Sequence, residues 1–462
     1  MLEAPHRLVN LSTDIGVRQS FARDASGLEL VADAVARPTS EAAVIELLRQ
    51  ANADGRSVTP AGGQTSTTGA SITDVGILLS LRGLGDIGDI DREHLTIRVR
   101  AGVNLGDLKR RLAADGLLFA ADPTSEDDVT VGGAIACNAS GARSLLYGAT
   151  RSHVSALRVA LADGSVHELR RSRLEKNTVG YQSVHEPIDW FIGSEGTLGV
   201  ILEAELSLLP LPEDVTGLAI PFAREADALD FVVAARSSTE VSPRCIEFFD
   251  GLALAIARAA GDNASWAEDA GALVYVEQAA AKGTDIPLDR WLALAERCMA
   301  AEADILVYEG EAALRDARRI RHAVPATMNE RGARYRASGG RKVSTDWAVP
   351  YRRLKDAIAD ARRLADDAGI EQAVIYGHAG NGHPHQNFIA HDATELARIE
   401  QVVEGTLRRV VERGGTVAAE HGIGKLKRRW LSLQLTPLQL GVMRAMKTEL
   451  DPSGMLAPGN LF

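Results

Sequence analysis

VGGAIACNASGARSLLYGATR, residues 131–151, is the middle one of three glycine-rich segments, and the reading of the fold turns on it. The other two are Ala61-Gly-Gly-Gln-Thr-Ser-Thr-Thr-Gly69 and Gly193-Ser-Glu-Gly-Thr-Leu-Gly199. Runs so rich in Gly, Ser and Thr are poor helix or strand interior, and each alone would pass for a surface loop. Three in the first half of one chain ask for a shared cause. Closely spaced glycines let backbone N–H groups approach a ligand with no Cβ in the way, which suits a pyrophosphate. The chain lacks the phosphate-loop pattern ending in Gly-Lys-Ser/Thr, so a nucleotide-triphosphatase reading fails on its own motif.

Outward from these segments, helix and strand periodicities alternate. Ala43, Val44, Leu47, Leu48 and Ala51 share one face of a helix expected over 40–55, and a strand over 56–60 leads into the first glycine loop. Leu95, Ile97 and Val99 alternate along a strand, followed by a helix over 104–115. Residues 154–161 and 166–169, joined by Ala162-Asp163-Gly164, read as a hairpin, and 200–209 as a strand. Pro210, Pro212 and Pro221 mark a change from glycine clusters to Ala-rich helical runs, placing the main domain boundary near residue 212. Beyond it, helices are expected at 223–237, 251–260, 289–303, 311–322, 352–368 and 394–413, with strands at 272–277, 304–308 and 372–376.

The second half has its own dense spot, Tyr376-Gly-His-Ala-Gly-Asn-Gly-His-Pro-His-Gln-Asn387, followed by His391. Four of the eleven histidines fall here. On a strand His383, His385 and Asn387 would face one way, and the Gly-Asn-Gly turn would return His378 beside them. One histidine is more often structural, but this density suits a divalent metal such as zinc. Gly414-Gly-Thr-Val-Ala-Ala-Glu-His-Gly-Ile-Gly424 offers a carboxylate: if 417–421 is extended, Glu420 and His421 point to opposite sides, one for metal and one for substrate. Spacing alone leaves open which does which, or whether the pair is merely solvated. Basic residues crowd at Arg315, Arg318, Arg319 and Arg321 and again over 331–342, where a guanidinium could grip a small carboxylate.

Composition narrows the function classes. With 462 residues, 45% hydrophobic and 24% charged, the chain is an ordinary globular protein of two or three domains. Its net charge of −11 is the wrong sign for a nucleic-acid binder. Cys137, Cys245 and Cys298 form no CxxC, so no disulfide framework or iron–sulfur cluster is expected. Charges scattered through the first 30 residues leave no signal-peptide core, and no segment approaches a membrane span. The expectation is a cytoplasmic protein, membrane-peripheral only through a partner.

Six segments, PAGGQTS (60–66), DPTSEDDVTVGGAIACNASGARSLLYGATR (122–151), GSEGTLG (193–199), GHAGNGHPHQN (377–387), GGTVAAEHGIGKLK (414–427) and the ending DPSGMLAPGNLF, together resemble the vanillyl-alcohol oxidase type of flavoprotein. Within it they are most similar to FAD-linked D-2-hydroxy-acid dehydrogenases, along nearly the whole chain. The resemblance implies an α+β fold: a PCMH-type FAD-binding domain of two subdomains over 1–212, a cap with an antiparallel sheet over 213–430, and a segment 431–462 returning to the FAD domain. It implies FAD contacts at Pro60, Gly62, Gly63, Gln64, Thr65, Ser66, Pro123, Gly132, Gly133, Asn138, Gly141, Gly148, Gly193, Glu195, Gly196, Gly199 and Asn460. No histidine lies in the 60–70 loop, so the FAD is expected to be non-covalent.

The family's metal ligands map onto His378, His385 and Glu420 and its base onto His421, with Arg321 and Lys342 around the substrate carboxylate. Zn2+ is the expected metal, with Mn2+ or Fe2+ as alternatives. The chain departs from the family at Gln64, where a third glycine is usual, and at Asn381 and His383, where the usual turn has Asp and Asn; His383 is a further candidate ligand. The implied reaction is oxidation of a small D-2-hydroxy acid, of the D-lactate, glycolate or D-2-hydroxyglutarate class, to the 2-oxo acid. Electrons would pass to an external quinone, cytochrome or electron-transfer flavoprotein, and a homodimer stays open. The rivals are a flavin oxidase of an alcohol or phenol using O2, a zinc hydrolase built on the same histidines, and a non-catalytic flavin- or metal-binding protein.

Overall fold

A computed structural model describes residues 11–172, 174–260, 266–280 and 284–462; the first ten residues, on which part of the signal-peptide reading rests, lie outside it. The chain divides into two units. One is made of Met1–Gly141, Gly148–Leu211 and Glu420–Phe462, the other of Ala142–Tyr147 and Pro212–Ala419. The architecture is α+β in both.

The first unit holds two small sheets. In the four-stranded one, Ala34–Ala36 and Val58–Ala61 both run parallel to Ile77–Ser80, and Leu11–Ser12 adds an antiparallel edge. The helix Glu41–Ala53 starts at Ser40, whose side chain accepts from the Ala43 amide, and buries the five predicted apolar residues against this sheet. The C-terminal segment docks at the same sheet, where the Val58 amide donates to Met455 O and Ala457 donates back to Val58 O. The other sheet is antiparallel, in the order Ile87–Asp91, Thr96–Arg100, Val200–Ser207, Val154–Ala160, Val166–Arg170, and includes the expected hairpin. The middle glycine segment does not begin as a loop. Val131–Ala136 is a short helix capped by Thr130, because a hydroxyl at the right offset satisfies the Gly133 amide.

The second unit is built on a seven-stranded antiparallel sheet. Its strands stand in the order Leu306–Glu309, Asp214–Phe222, Ala272–Ala280, Pro243–Asp250, Val374–His378, His383–Asp392, Gly339–Ser344. Helices Gly251–Ala260 and Gly310–Ala333 pack on the face bearing Phe249, Leu273, Val374 and Tyr376. The second of these is 24 residues long, where the spacing predicts an end near 322. It continues through Pro325, which cannot donate to the Arg321 carbonyl one turn back, because buried Val324 and Met328 carry the apolar stripe onward. Residues 417–421 are not a strand: beyond the isolated Ala348–Thr416 bridge the chain bends, so the alternation argument for Glu420 and His421 does not apply. Among the described residues no helix is long and apolar enough to cross a membrane.

Candidate active site

In the first unit the glycine loops meet. A Cβ on Gly62 would lie 2.2 Å from Thr130 Oγ1, and one on Gly63 would lie 2.1 Å from the Asp128 carbonyl. Gly141 abuts the Asp122 carbonyl, Gly132 abuts Ala101, Gly199 abuts Val159 and Gly196 abuts Pro60. These glycines therefore do a job the motif did not disclose, packing loop on loop. Among the described residues, the backbone N–H groups of Gly62 to Ser66 donate to no protein acceptor, so they are available to a ligand or to solvent.

Gln64 has φ +56°, the left-handed region in which glycine is at ease, and its amide donates to Phe21 O at 2.9 Å, which holds the turn. Ser66 Oγ accepts from the Thr68 and Ala70 amides, while Thr65 contributes its unpaired N–H. Pro123 opens the turn closed by the Glu126 amide. Gly148 and Gly193 sit at φ +81° and +84°. Asn138 Oδ1 accepts from Arg151 N, Glu195 accepts from the Ile423 and Gly424 amides, and Asn460 donates to Ala70 O and Glu195 O. These three side chains are spent on tying the loops together. His421 and Glu420 are half-buried, and the His421 carbonyl accepts from Thr68 Oγ1.

In the second unit the hairpin forms as its glycine turn predicts. Pairing of His378 with His383 and Tyr376 with His385 puts His378, His383, His385 and Asn387 on one face. Lys342 pairs with Ile389 and so joins that face. The three imidazoles are buried, with ring centres 5.5, 5.3 and 4.7 Å apart. Two carboxylates that no motif signalled complete the group. Glu247, 1% exposed, accepts from His378 Nδ1 at 2.6 Å through one oxygen and from Arg321 Nε at 2.8 Å through the other. Burial would raise its carboxyl, but the charges of His378 and Arg321 reverse this and hold it at about 2. Asp346 stands 3.1 Å from His383 Nε2 and accepts from the Ala419 amide, which immediately precedes Glu420 in the chain.

When His378 is neutral with Nδ1 donating to Glu247, its Nε2 is the lone-pair nitrogen; His378 and His383 bring donor atoms within 4.8 Å of each other, as do His385 and Asp346, and such imidazole and carboxylate donors suit Zn2+ or a similar ion. Lys342 is a different case. Burial lowers its ammonium to about 8, and no described side chain accepts a hydrogen bond from it. The only sequence cue to Glu247 is a carboxylate set among apolar residues in Cys245-Ile-Glu-Phe-Phe249.

The chain belongs to the FAD-linked oxidases, a class of flavoprotein oxidoreductases. Their C-terminal domain model matches residues 211–461, and an FAD-binding domain model matches 32–170. Among named relatives, D-2-hydroxyglutarate dehydrogenase of Xanthomonas citri pv. viticola is 32% identical over 439 residues, covering 93% of this chain and 89% of that one. D-lactate dehydrogenase of Archaeoglobus fulgidus is 31% identical, covering 92% and 90%. Glycolate oxidase subunit GlcD of Bacillus subtilis is 29% identical, covering 93% and 89%. A solved alkyldihydroxyacetonephosphate synthase superposes with a TM-score of 0.73 at 19% identity, over 99% of this chain and 84% of the other, and so shares the fold.

Proposed function

We propose that this protein oxidises a small D-2-hydroxy acid to the 2-oxo acid with metal assistance and hands the electrons to an external acceptor. The observation that carries the reading is the Glu247 carboxylate, which links a buried histidine cluster to Arg321 over one sheet face that also presents Lys342, paired with no described side chain. The names of the relatives supply the substrate class.

Bound FAD would supply the hydride acceptor for oxidation at C2 of the substrate. A divalent cation, when held by His378, His385 and Glu420 with His383 beside them, supplies Lewis acidity at the hydroxyl. Arg321 and Lys342 grip the substrate carboxylate, which fixes C2 and its hydroxyl in place. His421 takes the hydroxyl proton as the C2 hydride departs. Glu247 keeps His378 in the tautomer that presents Nε2 and keeps Arg321 from swinging away.

Anaerobic mixing with D- and L-lactate, glycolate, D-malate and D-2-hydroxyglutarate tests the reading. Bleaching of the flavin band by a D-2-hydroxy acid is the expected result. A protein whose flavin none of them reduces, or one that stays fully active after chelation, would overturn it.

A further inference from the structure

The long helix carries two arginines three residues apart over the same sheet, and they are not equally employed. Arg321 is engaged by Glu247. Arg318 lies over the neighbouring strand, where Glu277 pairs with Cys245 one step from the Tyr275–Glu247 pair. Glu277 is 1% exposed and its oxygens are already taken. Arg244 Nε reaches Oε2 at 2.7 Å, Arg143 Nε reaches it at 3.1 Å, and the Tyr275 hydroxyl donates to Oε1 at 3.0 Å. Arg318 Nε stands 3.7 Å from Oε1, beyond hydrogen-bond range. Its Nε is shut off from water with no acceptor, and among the described residues the guanidinium donates no hydrogen bond.

A planar cation with idle donors in a half-buried setting is costly unless an anion arrives to meet it. Its side chain remains 36% exposed, so an anion can reach it. Burial and the charges of Arg143 and Arg244 pull its pKa down while Glu277 opposes them, so the local balance is short of negative charge. Arg321 and Arg318 lie one helical turn apart and reach Glu247 and Glu277 on adjacent strands, so the two guanidinium groups stand over the same sheet face. We infer that Arg318 receives the distal carboxylate of the substrate, so the preferred substrate is a dicarboxylic 2-hydroxy acid and not a monocarboxylic one. This rests on the reading given under Proposed function, and it names the substrate class for that site.

The test measures kcat and KM for flavin reduction by D-2-hydroxyglutarate, D-malate and D-lactate in the parental protein, Arg318→Gln and Arg318→Lys, with FAD content and melting temperature recorded for each. The parental protein is expected to favour a diacid. In Arg318→Gln the ratio of diacid to D-lactate kcat/KM falls ~10- to 100-fold, the worth of a charged hydrogen bond. The loss lies in KM, and Arg318→Lys restores part of it. A parental preference for D-lactate, an unchanged ratio in Arg318→Gln, or a parallel loss for all three acids overturns the inference while leaving the 2-hydroxy-acid reading standing. Reduction by none of the acids in the parental protein removes that reading and this one together.

Discussion

His378 and Glu247 are joined in the candidate site, Nδ1 to Oε1 at 2.6 Å, although they lie 131 positions apart in the chain. The same carboxylate holds Arg321. One buried acid therefore sets the geometry of a proposed metal ligand and of a proposed substrate clamp, and loss of its charge should be felt in both.

Glu247→Gln tests this. An amide is a weaker partner for the imidazole N–H and no counter-ion for Arg321, so metal affinity should fall ~10- to 100-fold, the usual effect of an outer-shell change. KM should rise alongside it. Metal titration monitored by mass spectrometry and single-turnover flavin reduction read the two effects separately; unchanged metal affinity would deny the link to His378.

Lys342 gives a pH signature. Its folded pKa of about 8 lies below the ordinary lysine value, so the free protein loses this positive charge as pH climbs past about 8. Substrate KM should therefore rise on the alkaline side, and Lys342→Arg should push that limb upward because guanidinium stays charged. The same shift makes folding stability increase with pH between about 8 and the unfolded lysine value, since the unfolded chain holds the extra proton there. A KM that is flat from pH 7 to 10 would refute the clamp role.

Gly63→Ala probes the loop packing. The added Cβ would lie 2.1 Å from a backbone carbonyl that cannot turn aside. The loop must shift, carrying its unpaired N–H groups with it, and the purified protein should hold less FAD and melt several degrees lower. Absorbance at the flavin band against total protein decides it: full FAD occupancy in Gly63→Ala would show that the cradle lies elsewhere.

The neighbours Glu420 and His421 separate by chemistry. Glu420→Gln should lower metal content and activity together, an amide being the poorer ligand. His421→Ala should keep FAD and metal yet slow flavin reduction by roughly 10²–10⁴, the usual worth of a positioned base. Loss of metal from His421→Ala, or reduction at the parental rate, would reverse the assignment.

Much of this protein could be read without coordinates, because much of it is local. The helix at Glu41–Ala53 has its cap and its apolar stripe inside one short window, and His378, His383 and His385 come together through a single tight hairpin. Motif order along the chain placed it among the FAD-linked oxidases. Other expectations fared less well. Thr130 turned the head of a glycine segment into helix, Val324 and Met328 carried a helix through Pro325, and the bend after Thr416 removed the alternation expected for Glu420 and His421. Glycines read as making room for a ligand also make room for neighbouring loops, a use that shows only when Asp128 and Thr130 are seen against Gly63 and Gly62. Sequence order alone pointed to His378, His385, Glu420 and His421 as the residues proposed for the chemistry. Which carboxylate stands beside His378, which arginine is satisfied and which is left waiting were decided by the order of strands in the sheet, because cross-strand neighbours are set by topology and not by spacing along the chain.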